Sequence, residues 1–349
     1  MKSVAITGPR SCEIRDVPEP KAARDVVKIR ILSAPMCTEV QTYAAGGPAD
    51  VLGHEAAGEV VDAADSSRVR AGDRVVVMPQ YACGNCQLCL SGEHIHCPHQ
   101  RDVLAATGSE TGTATYAQYC LKPDWLLFPI PVDLSYDEAA MACCGLGPTF
   151  NACERLRVDA LDTVLVSGCG AVGLGAVVNA RLRGARVLAL EPHPYRAELA
   201  RKLGAEAVID PRDDDAADQV SARTSGRGPD ASIETSSAPT APAFLAAVTR
   251  RRGRIGSVGW GGPVEAARLV ERGLEFHGVW HWNHLRDGDR MVETIRRARP
   301  VLRHLVTHAF PMDGVRDAWE LQLTAQCGKV VLHPWETPAA PAAAEDSDR

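Results

Sequence analysis

The stretch that most constrains this chain is the apolar run Thr163–Ser167, which passes straight into Gly168-Cys169-Gly170-Ala171-Val172-Gly173. A short strand ending in G-x-G-x-x-G and opening a helical pattern, here Ala171–Arg183, marks the first turn of a βαβ unit. The surrounding rhythm agrees. Strand patterns at Arg186–Glu191, Ala207–Ile209, Asp230–Glu234, Arg254–Gly259 and Leu274–Val279 alternate with helical patterns at Tyr195–Leu203 and Ala241–Arg251. That alternation predicts an α/β region with a doubly wound parallel sheet.

The glycines let the backbone turn tightly and approach a pyrophosphate, whose charge meets a helix N-terminus. Gly168, Gly170, Ala171, Val172 and Gly173 are therefore candidate dinucleotide-binding residues. The next strand ends at Glu191, which can accept hydrogen bonds from both ribose hydroxyls and repels a 2′-phosphate, so NAD(H) is favoured over NADP(H). Glu191 could instead cap the turn Pro192–Pro194. Arg196 is close enough to offer a positive group to a 2′-phosphate and joins the cofactor candidates.

Before this region the texture differs. Up to about Cys153 the chain reads as short strands, among them Val26–Leu32, Ala56–Val61 and Arg74–Met78, broken by Gly and Pro. Beyond Asp287 come helical patterns at Arg290–Arg299 and Val315–Gln322 and a last strand at Lys329–His333. With 349 residues the expectation is two domains. Residues 337–349, Ala/Pro-rich and then acidic, are expected to be disordered.

A net charge of −6 gives no basic surface for nucleic acid. No run reaches the roughly 18–20 apolar residues that span a bilayer, and the start does not read as a signal peptide. A cytoplasmic protein with neither nucleic acid nor membrane as partner is expected. In that reducing setting twelve cysteines read as metal ligands or free thiols. Cys83, Cys86, Cys89 and Cys97 form C-x2-C-x2-C-x7-C on a glycine-containing loop. Four thiolates at this spacing suit a closed tetrahedral zinc site with a structural role, although His94 or His96 could replace one of them.

These motifs, in this order, resemble the zinc-dependent medium-chain alcohol dehydrogenases, a family that includes sorbitol and threonine dehydrogenases. The resemblance is carried further by Gly53-His54-Glu55-Ala56-Ala57-Gly58, Gly72-Asp73-Arg74-Val75, Tyr116-Ala117-Gln118-Tyr119 and Gly328-Lys329-Val330-Val331. It implies a GroES-like, mainly β catalytic domain (residues 1–152 and 288–336) with a Rossmann domain (153–287) inserted. It also implies a homodimer or homotetramer, paired through Leu274–Val279. A catalytic zinc would be held by Cys37, His54 and Cys144, with Thr38, His54 and Glu55 as catalytic residues and Thr38 as proton shuttle. Cys143 is a neighbour that could be mistaken for Cys144, and Glu55 reads either as a group beside the metal or as a buried ion-pair partner. Two registers stay open at the first ligand, because an ungapped alignment puts Met36 there and a one-residue deletion puts Cys37. Gln41 stands where many members have a relay histidine.

The function that follows is hydride transfer between a small alcohol or its ketone and NAD(H). The Trp280–His284 segment raises a polyol, sugar or cyclitol, with Trp280 and Trp282 stacking on a sugar, or else an interface packing role. A relative lacking the catalytic zinc and reducing a ketone or activated alkene is the alternative. A non-catalytic zinc- and NAD-binding sensor is a further one.

Overall fold

The computed structural model describes residues 1–335; the tail expected at 337–349 lies outside them. Six parallel strands form one sheet in the spatial order Ala207–Ile209, Arg186–Leu190, Thr163–Ser167, Ala231–Glu234, Arg254–Ser257, Glu275–Gly278. The chain starts in the middle, winds outward to one edge, then returns and winds to the other. Strand order therefore reverses between Thr163–Ser167 and Ala231–Glu234, and the carboxyl ends at such a reversal are where open parallel sheets bind their ligands. Near-continuous burial along Thr163–Ser167 and Arg186–Leu190 reflects helices covering both faces.

The second sheet has seven strands, mostly antiparallel, and draws on both ends of the described chain. Along its path lie Val306–Pro311, Lys329–His333, Val26–Pro35, Ala56–Asp62, Arg74–Val77 and Leu127–Pro129, while Tyr119–Pro123 also pairs with Val26–Pro35. Val26–Pro35 alternates buried and half-buried residues, as a strand with one covered face should. Lys329–His333 pairs with its far end, Val331 opposite Pro35 and Leu332 opposite Ala34. That pairing fixes where the chain leaves the sheet, at Met36.

Several elements differ from the pattern read in the sequence. The helix expected over Arg290–Arg299 spans His284–Leu305 and passes through Pro300. Its buried residues Met291, Ile295, Ala298, Leu302 and Leu305 keep a three-to-four spacing across the proline, so burial of one face outweighs the lost backbone bond. The strand Val306–Pro311 and the helices Gly147–Arg155 and Ala216–Arg223 had no clear periodic signal. Among the described residues, no helix is long and apolar enough to cross a membrane.

Candidate active site and cofactor crevice

The glycine loop divides its three tasks by position. Gly168 has φ +85°, a conformation open to glycine, and a Cβ there would lie 2.6 Å from that of Ser236. A Cβ on Gly173 would come within 1.8 Å of the Gly168 carbonyl oxygen, so this glycine lets helix Ala171–Leu182 pack onto its strand. A Cβ on Gly170 would meet nothing within 4 Å. The open space lies at the helix N-terminus, where Ala171 and Val172 begin the first turn, and it suits a pyrophosphate.

Glu191 is buried at the end of its strand and turned back to this loop. Its Oε2 accepts the Cys169 backbone N–H at 2.7 Å and its Oε1 accepts that of His193 at 2.8 Å. It therefore caps the following turn and stands beside the glycine loop at once. Arg196 points elsewhere, its Nε donating to the Cys327 carbonyl at 3.4 Å.

In the cysteine lobe the four sulfurs all lie within 4.8 Å of one another, with Cys86–Cys89 at 3.5, Cys83–Cys97 at 3.6, and Cys83–Cys89 and Cys86–Cys97 at 3.8 Å. Thiolates on a tetrahedral zinc, with Zn–S bonds of about 2.3 Å, stand about 3.8 Å apart. The backbone N–H groups of Asn85 and Cys86 help to hold the Cys83 thiol down at about 6, while burial pushes Cys89 up to about 12. His94 and His96 are not part of the cluster. His94 turns to His284, with Nδ1 atoms 3.3 Å apart, and exposed His96 packs edge-on to Trp280.

A second cluster gathers Cys37, His54, Glu55 and Cys144, whose ligand atoms all lie within 4.8 Å of one another. Three parts of the fold deliver them. The backbone N–H of Met36 donates to the Val330 carbonyl at 2.8 Å, so the chain leaves the sheet with Met36 in the core and Cys37 facing the cluster. His54 follows Gly53, whose φ of +82° and contact with Thr115 and Tyr116 leave no room for a side chain. Cys144 lies between the helices Tyr136–Ala140 and Gly147–Arg155, and its backbone N–H donates to Glu55 at 3.0 Å. Cys143 points the other way, its thiol donating to the Val77 carbonyl. Thr38 is exposed at the start of helix Glu39–Ala45 and its hydroxyl makes no capping bond, while Gln41 is exposed on the first turn.

The electrostatics match a cation-binding pocket. The Cys144 thiol donates to Cys37, and this bond holds Cys37 well below the usual thiol range and Cys144 well above it. Burial opposes charge on His54, yet Cys37 and Glu39 outweigh it and raise the imidazole to about 11. His54 Nε2 lies 3.4 Å from the Cys144 sulfur, so imidazole and thiols converge on one point, as the ligands of a divalent cation would. Two sulfurs, an imidazole nitrogen and a carboxylate oxygen form a borderline-soft donor set suited to zinc.

Two residues around this cluster, Glu39 and Lys329, carry roles the sequence did not disclose, and Glu55 fills both of its expected places, beside the cluster and in a buried ion pair. Glu39 accepts the Nδ1–H of His54 at 2.6 Å and also the hydroxyl of Tyr116 at 2.9 Å. Burial works against its charge, but His54 and Tyr116 hold it at about 2. Lys329 and Glu55, both fully buried, pair at 2.6 Å. Burial pushes Glu55 up to about 7 in spite of Lys329. Burial alone would lower Lys329, but Glu55, Cys37 and Cys144 hold it well above the ordinary lysine value.

The Trp280–His284 segment departs from expectation. Trp282 is buried, donates its indole N–H to the Ala142 carbonyl at 2.8 Å and packs edge-on to Phe128, so it belongs to the core and cannot stack on a substrate. His281 is buried with neither ring nitrogen hydrogen-bonded among the described residues, and burial pushes it down to about 3. Asn283 donates to Ser91 and Glu93 and so ties the segment to the cysteine lobe.

A mainly β sheet carrying two thiol-rich clusters, joined to a parallel sheet with a glycine-loop crevice, defines a zinc-binding, dinucleotide-dependent oxidoreductase. Residues 23–132 match the alcohol dehydrogenase GroES-like domain and residues 171–296 the zinc-binding dehydrogenase family. Sorbitol dehydrogenase of Bacillus subtilis (strain 168) is 29% identical, with 96% of this chain and 97% of that protein covered. An L-threonine 3-dehydrogenase of Symbiobacterium thermophilum is 30% identical, with 92% of this chain and 94% of that protein covered. Alcohol dehydrogenase TADH from Thermus sp. ATN1 shares the fold, with a TM-score of 0.87 at 24% identity over 96% of this chain and 100% of that one. The chain belongs to the zinc-dependent medium-chain alcohol dehydrogenase family. It is an enzyme, and its family implies zinc, a nicotinamide cofactor and a small-molecule alcohol as substrate.

Proposed function

We propose that this enzyme transfers hydride between a secondary alcohol, of the polyol, sugar or cyclitol class, or its ketone, and NAD(H). The reading rests above all on the four ligand atoms of Cys37, His54, Glu55 and Cys144 lying within 4.8 Å of one another. Cys37, His54 and Cys144 would hold a catalytic zinc, and Cys83, Cys86, Cys89 and Cys97 a structural one. Zinc bound at the first site would act as a Lewis acid toward the substrate oxygen.

The chain's own groups supply the rest. Glu39 holds the Nδ1–H of His54, which leaves Nε2 as the lone-pair donor toward the cluster. Glu55 keeps its carboxylate beside the cluster through Lys329 and the Cys144 N–H. Thr38 passes the alcohol proton to solvent, since its hydroxyl is exposed and Gln41 cannot carry a proton. Gly168, Gly170, Ala171, Val172 and Gly173 hold the pyrophosphate. Glu191 binds the ribose hydroxyls, and its carboxylate disfavours a 2′-phosphate. Arg196, turned to Cys327, does not counter that charge.

Residues 1–152 with 288–336 act as catalytic domain and 153–287 as cofactor domain. Glu275–Gly278, the outer strand of the parallel sheet, is free to pair with its counterpart in a homodimer or homotetramer. A cytoplasmic setting suits twelve cysteines that form no disulfide among the described residues. The polyol preference draws support from the likeness to a sorbitol dehydrogenase.

The test is turnover of a panel of secondary alcohols with NAD+ and NADP+, before and after dialysis against a strong chelator. NAD+-linked turnover that disappears on zinc removal and returns with added zinc is expected, with NADP+ at least about tenfold poorer in kcat/KM, the effect of roughly 1.4 kcal/mol. Undiminished turnover by the metal-free enzyme would refute the mechanism.

A further inference from the structure

Of the six tryptophans, four are built into the protein. Trp282 and Trp319 are buried, and Trp125 and Trp335 are half-buried with their indole N–H groups donated to the Ala82 and Ile31 carbonyls. Trp260 and Trp280 differ. They are 82% and 43% exposed, and the described residues offer neither indole N–H an acceptor.

Their positions are informative. Trp260 follows the strand Arg254–Ser257 and Trp280 follows its parallel neighbour Glu275–Gly278. Both rings thus stand at the carboxyl ends of the strands, the side on which open parallel sheets bind ligands. They meet nearly at right angles, 87°, with centroids 5.9 Å apart. On the other side of Trp280 lies exposed His96 of the cysteine lobe, at 6.4 Å and 68°, its ring nitrogens without a hydrogen bond among the described residues. The residue after Trp280 leads to the metal cluster: the Cε1 of His281 is 2.9 Å from where a Cβ on Gly147 would be, three residues beyond Cys144.

We infer that Trp260, Trp280 and His96 form an aromatic corner at the mouth of the substrate cleft, and that it selects a cyclic polyhydroxy substrate, a pyranose or cyclitol. This rests on the reading of the site as a secondary-alcohol dehydrogenase and names the class of substrate. Rigid rings offer large contact area at small entropic cost, and a sugar ring presents a flat C–H face to them. The unspent N–H groups of both indoles and the nitrogens of His96 suit hydroxyls on the rim of such a ring. An aryl substituent would cover those polar edges without pairing them. A linear polyol would lose more conformational freedom in making the same contacts.

The experiment compares kcat/KM for myo-inositol, methyl β-D-glucopyranoside, D-sorbitol and 1-phenylethanol against 2-butanol, in wild type and in Trp260→Leu, Trp280→Leu and Trp280→Phe. Calorimetric titration of the enzyme–NADH complex with myo-inositol and with the glucoside gives a readout independent of turnover. The expected result is a preference for one cyclic polyol over sorbitol and 1-phenylethanol. The leucine variants should cut the ratio of that polyol to 2-butanol about tenfold, mainly through KM, and Trp280→Phe about threefold. Which of the two cyclic ligands binds distinguishes a cyclitol from a pyranose site. A cyclic polyol that binds and loses affinity in the leucine variants, without being turned over, supports the corner and instead contradicts the assigned reaction. A preference for 1-phenylethanol, an unchanged ratio in the leucine variants, or binding of neither cyclic ligand would overturn the inference.

Discussion

Truncating Glu39 to alanine removes a carboxylate that holds three hydrogens at once: the His54 Nδ1–H at 2.6 Å, the Tyr116 hydroxyl at 2.9 Å and the Cys37 N–H at 3.3 Å. Two effects follow and can be measured apart. Outer carboxylates that orient a metal-binding histidine contribute about 10–100-fold to metal affinity. The short distance and burial put Glu39 at the upper end, so Glu39→Ala should weaken the catalytic zinc by about 100-fold, or ~2.7 kcal/mol. The second effect is on folding. Losing the acceptor for the Tyr116 hydroxyl costs about 1–3 kcal/mol, whereas the Cys37 N–H keeps Tyr116 Oη as an acceptor at 3.3 Å. Glu39→Gln keeps the shape and an acceptor for His54 but loses the charge, and about a tenfold loss of affinity is expected. Zinc affinity by competition with a chromophoric chelator separates the weakly held ion from that of the cysteine lobe, and urea melts follow stability. If Glu39→Ala holds both ions as tightly as wild type, Glu39 does not orient a ligand and the reasoning fails.

Three further perturbations probe the same structure. Gly170→Ala and Gly173→Ala should behave oppositely: the first adds a methyl to open space and should weaken NADH binding at unchanged Tm, whereas the second collides with the Gly168 carbonyl and should cost roughly 1–3 kcal/mol of stability in urea melts. Lys329→Met strands a fully buried Glu55 and should destabilise the fold by about 3–5 kcal/mol, with partial recovery in the Lys329→Met/Glu55→Gln double variant; no recovery would mean the pair does not act as a unit. His333, raised above its ordinary value by Asp137 at 3.0 Å, binds its proton more tightly folded than unfolded. Its contribution is therefore complete below about pH 6.5 and lost as pH rises through the folded value. The stability gap between wild type and Asp137→Asn, roughly half a kcal/mol for a partly exposed pair, should shrink as pH is raised from 6 to 9.

The parts of this molecule legible in its sequence are those encoded by local spacing. Thr163–Ser167, Ala207–Ile209 and Lys329–His333 appear where their apolar patterns end, and the Cys83–Cys97 spacing brings four sulfurs within reach of one ion. Gly168 takes the positive-φ turn that its place in the motif suggested, and Gly173 lets the helix close onto its strand. What stayed hidden depends on which distant segments meet. Glu39 is an ordinary first-turn acid until His54 is folded against it, and Lys329 and Glu55 pair across 274 residues of chain. Pro300 suggests a helix end, but the buried face on both sides of it carries the helix through. Trp280 and Trp282 look alike in sequence, and only the packing of the Ala142 carbonyl against one of them sends it to the core.

Zinc content by elemental analysis, on protein purified without added metal, tests the two-cluster account most directly when wild type is compared with Cys37→Ser. About two zinc ions per chain in wild type and about one in the variant are expected, the remaining ion held by Cys83, Cys86, Cys89 and Cys97. A single ion in wild type, unchanged in Cys37→Ser, would contradict the catalytic zinc and point to metal-independent reduction by the nicotinamide cofactor.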